Sequence, residues 1–267
     1  MRIYSIISII LMTALFFAGC ATVPITGRRQ LDFIPANELI SLGMDSYKQI
    51  LSSAKLSPDV QKVSMVKRVG GAIARSAEQF LRENNFSGRI NDYSWEFNLI
   101  EDDKTVNAFC LPGGKVAVYT GILNVAKDES GLAAVISHEA AHAIANHGGE
   151  RMSQVLLAEF GAVALSEALA AKKESTKQYA LLAYGAAANL GVVLPYSRLH
   201  EKEADHIGLI LMARAGYDPH AALTFWERMS EQNSGRVPEF LSTHPVPETR
   251  IEAIRSEIPE AMQYYQR

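Results

Sequence analysis

Cysteine is scarce in this chain: Cys20 and Cys110 are its only two in 267 residues. That rules out a disulfide framework as the source of stability. Long apolar runs are missing too. The stretches Val155 to Ala171 and Gln178 to Leu194 are apolar and Ala-rich, but Glu159, Glu167 and Asn189 interrupt them, and a spanning helix needs about 20 apolar residues. Charge of one sign is not in excess. With 26 Lys and Arg against 29 Asp and Glu, the formal net charge is −3, so no basic surface for nucleic acid is implied. No internal repeat is visible. The length suits one domain with a substantial core.

What the chain does have is His138-Glu139-Ala140-Ala141-His142. On a helix, residues four apart lie ~40° apart in azimuth and about 6 Å along the axis, so both imidazoles can reach one ion. Glu139 projects beside them, where a carboxylate can take a proton from a water held at that ion. Asp128 or Ser130 is expected to cap this helix, Leu132, Val135 and Ile136 to begin its apolar stripe, and Gly148 to end it. The small Ala140, Ala141, Ala143 and Ala145 allow close neighbours. His147, ~140° round the helix from His142, reads as a partner of the helix C-terminus or a surface residue.

A catalytic zinc usually keeps three protein ligands and one open position. Ala145 and Gly148 stand where a longer motif would place a glycine and a third histidine, so that arrangement is excluded. The next candidate is Glu201-Lys202-Glu203-Ala204-Asp205. Glu201 and Asp205 share a helical face: one can bind the metal while the other accepts a hydrogen bond from a ligand imidazole. His200 is a competing ligand. Glu203, ~200° from Glu201, reads as solvated.

Taken with Asn107-Ala108-Phe109-Cys110-Leu111-Pro112-Gly113-Gly114, Val116 to Gly121, Ser242-Thr243-His244-Pro245 and Arg250-Ile251, these motifs resemble the gluzincin metallopeptidases that include HtpX and the CAAX prenyl proteases. The resemblance runs in matching order over residues 36 to 258. It is closest to small bacterial periplasmic lipoprotein members (LoiP- and BepA-like) and to mitochondrial Oma-type proteases, and departs from HtpX in lacking several membrane spans. It implies an α+β, mostly α, zincin-type domain with a small sheet packed on the His-Glu helix. It also implies one Zn2+ held by His138, His142 and Glu201, Glu139 as base, and Asp205 orienting an imidazole. His244 is expected to swing onto the open metal position or to stabilise the oxyanion, and Arg250 to hold a substrate carbonyl or the His244 loop unless it is a surface ion pair. The implied partners are polypeptide substrates, misfolded or unassembled envelope proteins, and envelope assembly machinery. A self-inhibited or inactive zinc protein acting as a chaperone is the alternative.

Arg2 followed by the uncharged Ile3 to Phe17 and then Phe17-Ala18-Gly19-Cys20 matches a bacterial lipoprotein signal. The expectation is removal of residues 1–19 and lipidation of Cys20, with Ala21 favouring the outer membrane of a Gram-negative cell. An uncleaved anchor is the alternative. Cys110 is expected to pack on a strand, since nothing local makes it a catalytic thiol. Residues 20–35 read as a tether and 36–267 as one peptidase domain. A helix is expected at 36 to 53, and a second from Ser57-Pro58 carrying Val60, Val63, Val66, Val69 and Ile73. Strands at 93–102 and 106–120 turn at Pro112-Gly113-Gly114. The edge at Asn107, Ala108 and Phe109 is placed to hold a substrate backbone as an added strand. The two Ala-rich helices are read as packed, with a hairpin that dips into a membrane or grips an apolar substrate as the alternative. A helix over Ser197 to Ala215 carries the third ligand, and another starts at Asp218-Pro219.

Overall fold

The computed structural model describes residues 20–24, 26–189, 194–232 and 238–265. A hairpin of β1 (Cys20–Thr22) and β2 (Arg29–Leu31) precedes two long helices, α1 (Ala36–Ser53) and α2 (Val60–Glu83). Three strands follow, β3 (Glu96–Ile100), β4 (Ala108–Leu111) and β5 (Lys115–Tyr119). The remainder is helical: α3 (Thr120–Ala126), α4 (Glu129–Ile144), α5 (His147–Ala168), α6 (Glu174–Ala188), α7 (Leu194–Arg214), α8 (His220–Glu231), α9 (Glu239–Thr243) and α10 (Glu248–Ala261). The expected α+β, mostly helical architecture is present, with the small sheet against α4. The lipoprotein signal over residues 1–19 and the loop Asn233 to Val237 lie outside the described residues.

Composition makes α4 the centre of the core. Its alanines, with Leu132, Val135 and Ile136, leave no polar face long enough to reach water, and the helix is buried nearly all round. It packs on α2, α7, α8 and β4. On α7 the contact is backbone on backbone: a Cβ at Gly208 would stand 3.2 Å from the amide nitrogen of His138 and 3.3 Å from its Cα. Any side chain there would force the two helices apart. Asp128 caps α4, its carboxylate accepting from the Gly131 amide at 2.8 Å. The helix ends sooner than expected, because Asn146 adopts the left-handed conformation at φ 57°. Asparagine tolerates that region when its amide can bond locally. Gly148 is therefore inside α5 rather than a stop.

Asp59, not Ser57, caps α2, accepting from the amides of Gln61 and Lys62 at 3.1 and 3.0 Å. Ser57 instead accepts from the Asp59 amide at 3.3 Å. The apolar stripe of α2 accordingly begins late: Val66, Val69 and Ile73 are buried while Val60 is exposed. The sheet runs β3-β5-β4, with β3 parallel and β4 antiparallel to β5. Gly113 and Gly114, at φ 87° and 77°, close the β4–β5 turn. β3 and β4 are the two edge strands, and β4 lies along α4. Positions 21 to 35, read as a tether, hold the β1–β2 hairpin, and Val23 is buried in the main core.

No helix of the described residues is long and apolar enough to cross a membrane. The hairpin of α5 and α6 packs on itself and leaves Phe160 and Leu182 each 70 % exposed.

Tyr47 couples α1 to the sheet, donating to the Val116 carbonyl at 2.6 Å and accepting from Asn98 Nδ2 at 3.2 Å. Burial pushes its phenol up to about 12 from 10.0. The unfolded chain loses this proton near pH 10 while the folded chain keeps it, so the stabilisation is complete below pH 10 and disappears between pH 10 and 12. A two-unit shift corresponds to about 2–3 kcal/mol. Urea midpoints measured from pH 9 to 11.5 should fall more steeply for the wild type than for Tyr47→Phe; parallel profiles would contradict this assignment.

Candidate metal and active site

His138 and His142 sit one turn apart on α4, and their Nε2 atoms face each other at 3.1 Å. The Glu201 carboxylate enters from α7, with one oxygen 3.4 Å from His138 Nε2 and the other 3.4 Å from His142 Nε2. The two helices thus meet as the spacing predicts, and the close seam at Gly208 makes the meeting possible. His244, just beyond α9, brings Nδ1 to 2.9 Å from Glu201 and 3.3 Å from His138 Nε2. One donor atom from each of these four residues lies within 4.8 Å of every other.

This donor set fits a metal. Two imidazoles, a carboxylate and a third imidazole converging on one point are the nitrogen and oxygen donors zinc takes. Opposed nitrogens 3.1 Å apart cannot both carry hydrogen. The local field also favours positive charge. Burial alone would lower His138, yet Asp205 and Glu201 outweigh it and push the imidazole up to about 9. Burial likewise opposes ionisation of Glu201, but the imidazoles of His138, His142 and His244 gathered around it hold it far below the usual carboxylate range. His142, with less compensation, is driven well below its ordinary value by burial.

Glu139 is buried, and its Oε1 has no hydrogen-bond partner in the structure. That oxygen lies 3.4 Å from His244 Nε2. Burial raises its carboxyl above the ordinary value, while His244 and His138 pull the other way. A buried carboxylate short of partners is what a proton acceptor at this position requires.

Asp205 Oδ1 stands 3.0 Å from His138 Nδ1, the nitrogen turned away from the cluster. Burial would protonate Asp205, but Arg250 holds it below the usual range, donating to both oxygens at 2.7 and 2.8 Å. Arg250 also lies 3.0 Å from Glu201, donates to the Pro245 carbonyl at 3.0 Å, and covers the Trp226 ring at 3.9 Å. Arg250 is not a surface ion pair: it is buried and ties Asp205, Glu201 and the His244 segment together.

Three expectations about neighbouring residues are corrected. His147 is neither a surface residue nor a helix-end partner: the left-handed Asn146 turns it inward, and its Nδ1 meets His142 Nδ1 at 2.8 Å. Glu203 is not solvated but buried, 2.9 Å from His147 Nε2. Burial raises its carboxyl, but His147, Arg28 and Thr26 together lower it to about 2. His200 is outside the four-residue cluster, and its Nε2 lies 2.8 Å from Glu150. Arg28 and Glu150, which the sequence does not mark, complete this second buried group.

A groove of about 580 Å³ opens in front of Glu139 and His142, flanked by Phe109 and Cys110 on the β4 edge and by Tyr93 and Ile40 opposite. Asn107 and Ala108, at the start of that edge, are themselves buried. Burial pushes the Cys110 thiol well above its ordinary value, the reverse of an activated nucleophile.

Comparison with known proteins agrees with this geometry. The model of "Peptidase family M48" matches residues 69–258. The mitochondrial metalloendopeptidase OMA1 of Schizosaccharomyces pombe is 35% identical over 250 residues, covering 92% of this chain and 68% of that protein. Human metalloendopeptidase OMA1 is 31% identical over 261 residues, 95% of this chain and 48% of its own length. The beta-barrel assembly-enhancing protease of Escherichia coli is 34% identical over 166 residues, 61% of this chain and 34% of that protein. The chain therefore spans about two thirds of the fission-yeast relative and about half of the human one. It belongs to peptidase family M48 and is a metallopeptidase.

Proposed function

We propose that this chain is a zinc-dependent endopeptidase, lipid-anchored through Cys20 at the periplasmic face of a bacterial outer membrane. Its proposed substrates are misfolded or unassembled envelope proteins. The observation that carries the enzymatic part is the convergence of His138, His142 and Glu201 beside the unpartnered Glu139 oxygen. His138, His142 and Glu201 would hold one Zn2+, which supplies a Lewis acid for the scissile carbonyl and acidifies a water. Glu139 takes the proton as the water oxygen bonds to the carbonyl carbon, then delivers it to the amine as the carbon–nitrogen bond breaks. Asp205, 3.0 Å from His138 Nδ1, would fix that ring with the Nε2 lone pair turned into the cluster. The β4 edge near Phe109 aligns an extended substrate by backbone hydrogen bonds, which binds polypeptides with little sequence preference. The anchor rests on the residue pattern ending in Cys20, and the envelope substrates on the family resemblance, beside a relative named for enhancing β-barrel assembly.

His244 supports a second feature of the same reading. Its Nδ1 stands among the ligand atoms, so it closes the site, and we infer that it withdraws when substrate enters. Casein degradation by the full chain and by His244→Ala, with zinc stoichiometry measured on both, tests this. Cleavage that appears or rises at least severalfold in the variant identifies a latent peptidase closed by His244. Equal cleavage by both removes the gating role. No cleavage by either, with zinc bound, overturns the endopeptidase assignment.

A further inference from the structure

The N-terminal hairpin reaches the site through a chain of polar groups that starts at the surface and ends buried. Arg28, in the β1–β2 turn, donates to both oxygens of Glu150 at 3.0 and 2.7 Å and through Nε to Glu203 at 2.9 Å. The Thr26 hydroxyl donates to the other oxygen of Glu203. Glu203 meets His147 Nε2 at 2.9 Å, and His147 Nδ1 meets His142 Nδ1 at 2.8 Å. The His147 ring stacks on His200 at 4.2 Å, which prevents it from turning out of this line. Residues 175 and 56 positions apart are joined in this way to one ring of the metal cluster.

Resting on the peptidase reading above, we propose that Arg28 is a positioning residue that fixes, through Glu203 and His147, which nitrogen of His142 faces the metal. The direction of each hydrogen bond is set by chemistry. A carboxylate only accepts, so His147 must donate from Nε2. Its Nδ1 is then an acceptor and takes the hydrogen of His142 Nδ1. His142 Nε2, the atom facing His138 and Glu201, is left with its lone pair directed into the cluster. Remove Arg28, and two buried carboxylates lose the guanidinium that holds them side by side. Glu203 is then free to swing from His147, whose Nδ1 can carry the hydrogen in place of Nε2 and donate it to His142. A hydrogen on His142 Nε2 would stand where a ligand's lone pair is needed. Docking of the hairpin thus orders a ligand on the far side of α5.

The test uses the full chain as wild type, Arg28→Ala and Arg28→Lys. Nitrogen-15 histidine spectra of the metal-free chains report the His142 tautomer, chelator competition reports zinc affinity, and peptide cleavage gives kcat and KM. The wild type should show a single Nδ1–H form of His142. Arg28→Ala should show a mixture, zinc affinity about 10–100-fold weaker, and a comparable loss in kcat with KM within threefold. Arg28→Lys, which keeps the charge but not the fork, should recover part of both. If Arg28→Ala does not fold, His147→Phe keeps the stacked ring and removes both hydrogen bonds; it should show the same loss. A folded Arg28→Ala with the wild-type tautomer, or with zinc affinity within twofold, overturns the proposal. A wild type that neither binds zinc nor cleaves would instead sink the peptidase reading, and the tautomer spectra would still decide this one.

Discussion

Glu139→Gln is expected to lower peptide-bond cleavage by about 10²–10⁴-fold, the range for loss of a positioned proton acceptor, while zinc stoichiometry stays unchanged. Glutamine has the shape of glutamate but cannot accept the proton of the attacking water. The loss should fall on kcat, because the rest of the groove lining, Phe109 and Tyr93 included, is untouched. The unpartnered oxygen makes the substitution structurally mild: in the apo fold no hydrogen bond to Oε1 is broken. Steady-state cleavage of a quenched peptide, paired with metal analysis, measures both quantities. A variant that retains zinc and turns over within tenfold of wild type would show that Glu139 is not the base.

Arg250→Met is expected to destabilise the metal-free chain by about 3–5 kcal/mol, the cost of leaving a buried charge without its partner. Methionine replaces most of the stem that lies against Trp226 but takes away both donors to Asp205, leaving it only His138 Nδ1 at 3.0 Å. Against a typical total of 5–15 kcal/mol, that is a large fraction. Zinc should restore only the share due to Glu201, which the ion would neutralise, and leave the share due to Asp205. The double variant Arg250→Met with Asp205→Asn should recover part of the loss, because an uncharged amide costs less to bury. Urea unfolding of the three chains, with and without zinc, measures this. A single-variant loss under 1 kcal/mol would mean that water reaches Asp205 and that the pair contributes little.

Local rules carried the sequence reading well where they alone decide structure. The α1 boundaries and the Asp128 cap follow from periodicity and capping chemistry. Helical spacing also sufficed to pair His138 with His142 and Glu201 with Asp205. It failed for His147, Glu203 and His200. Spacing assigns Glu203 to solvent and His147 to a helix end or the surface, and it offers His200 as a rival ligand. Each is buried because partners far along the chain complete it. Nothing in residues 147–205 announces an arginine at position 28, and a turn rich in glycine and arginine looks like a solvated linker until two inward-facing carboxylates are found opposite it. The single left-handed residue Asn146 was equally hidden, since asparagine is common inside helices as well as at their ends. Arg250 was visible as a motif residue, but its three partners come from α7 and the His244 segment, which only the packed structure brings together.

The seam at Gly208 has a consequence for ion preference. Because main chain rests on main chain there, the spacing of the two helix axes behind the ligands is set by how closely two cylinders can lie, and the His and Glu side chains span only what remains. So short a span suits a small ion with few donors better than calcium, which takes about six to eight oxygens at longer range. An engineer wishing to retune the metal would widen that contact by one methyl group and leave every ligand as it stands.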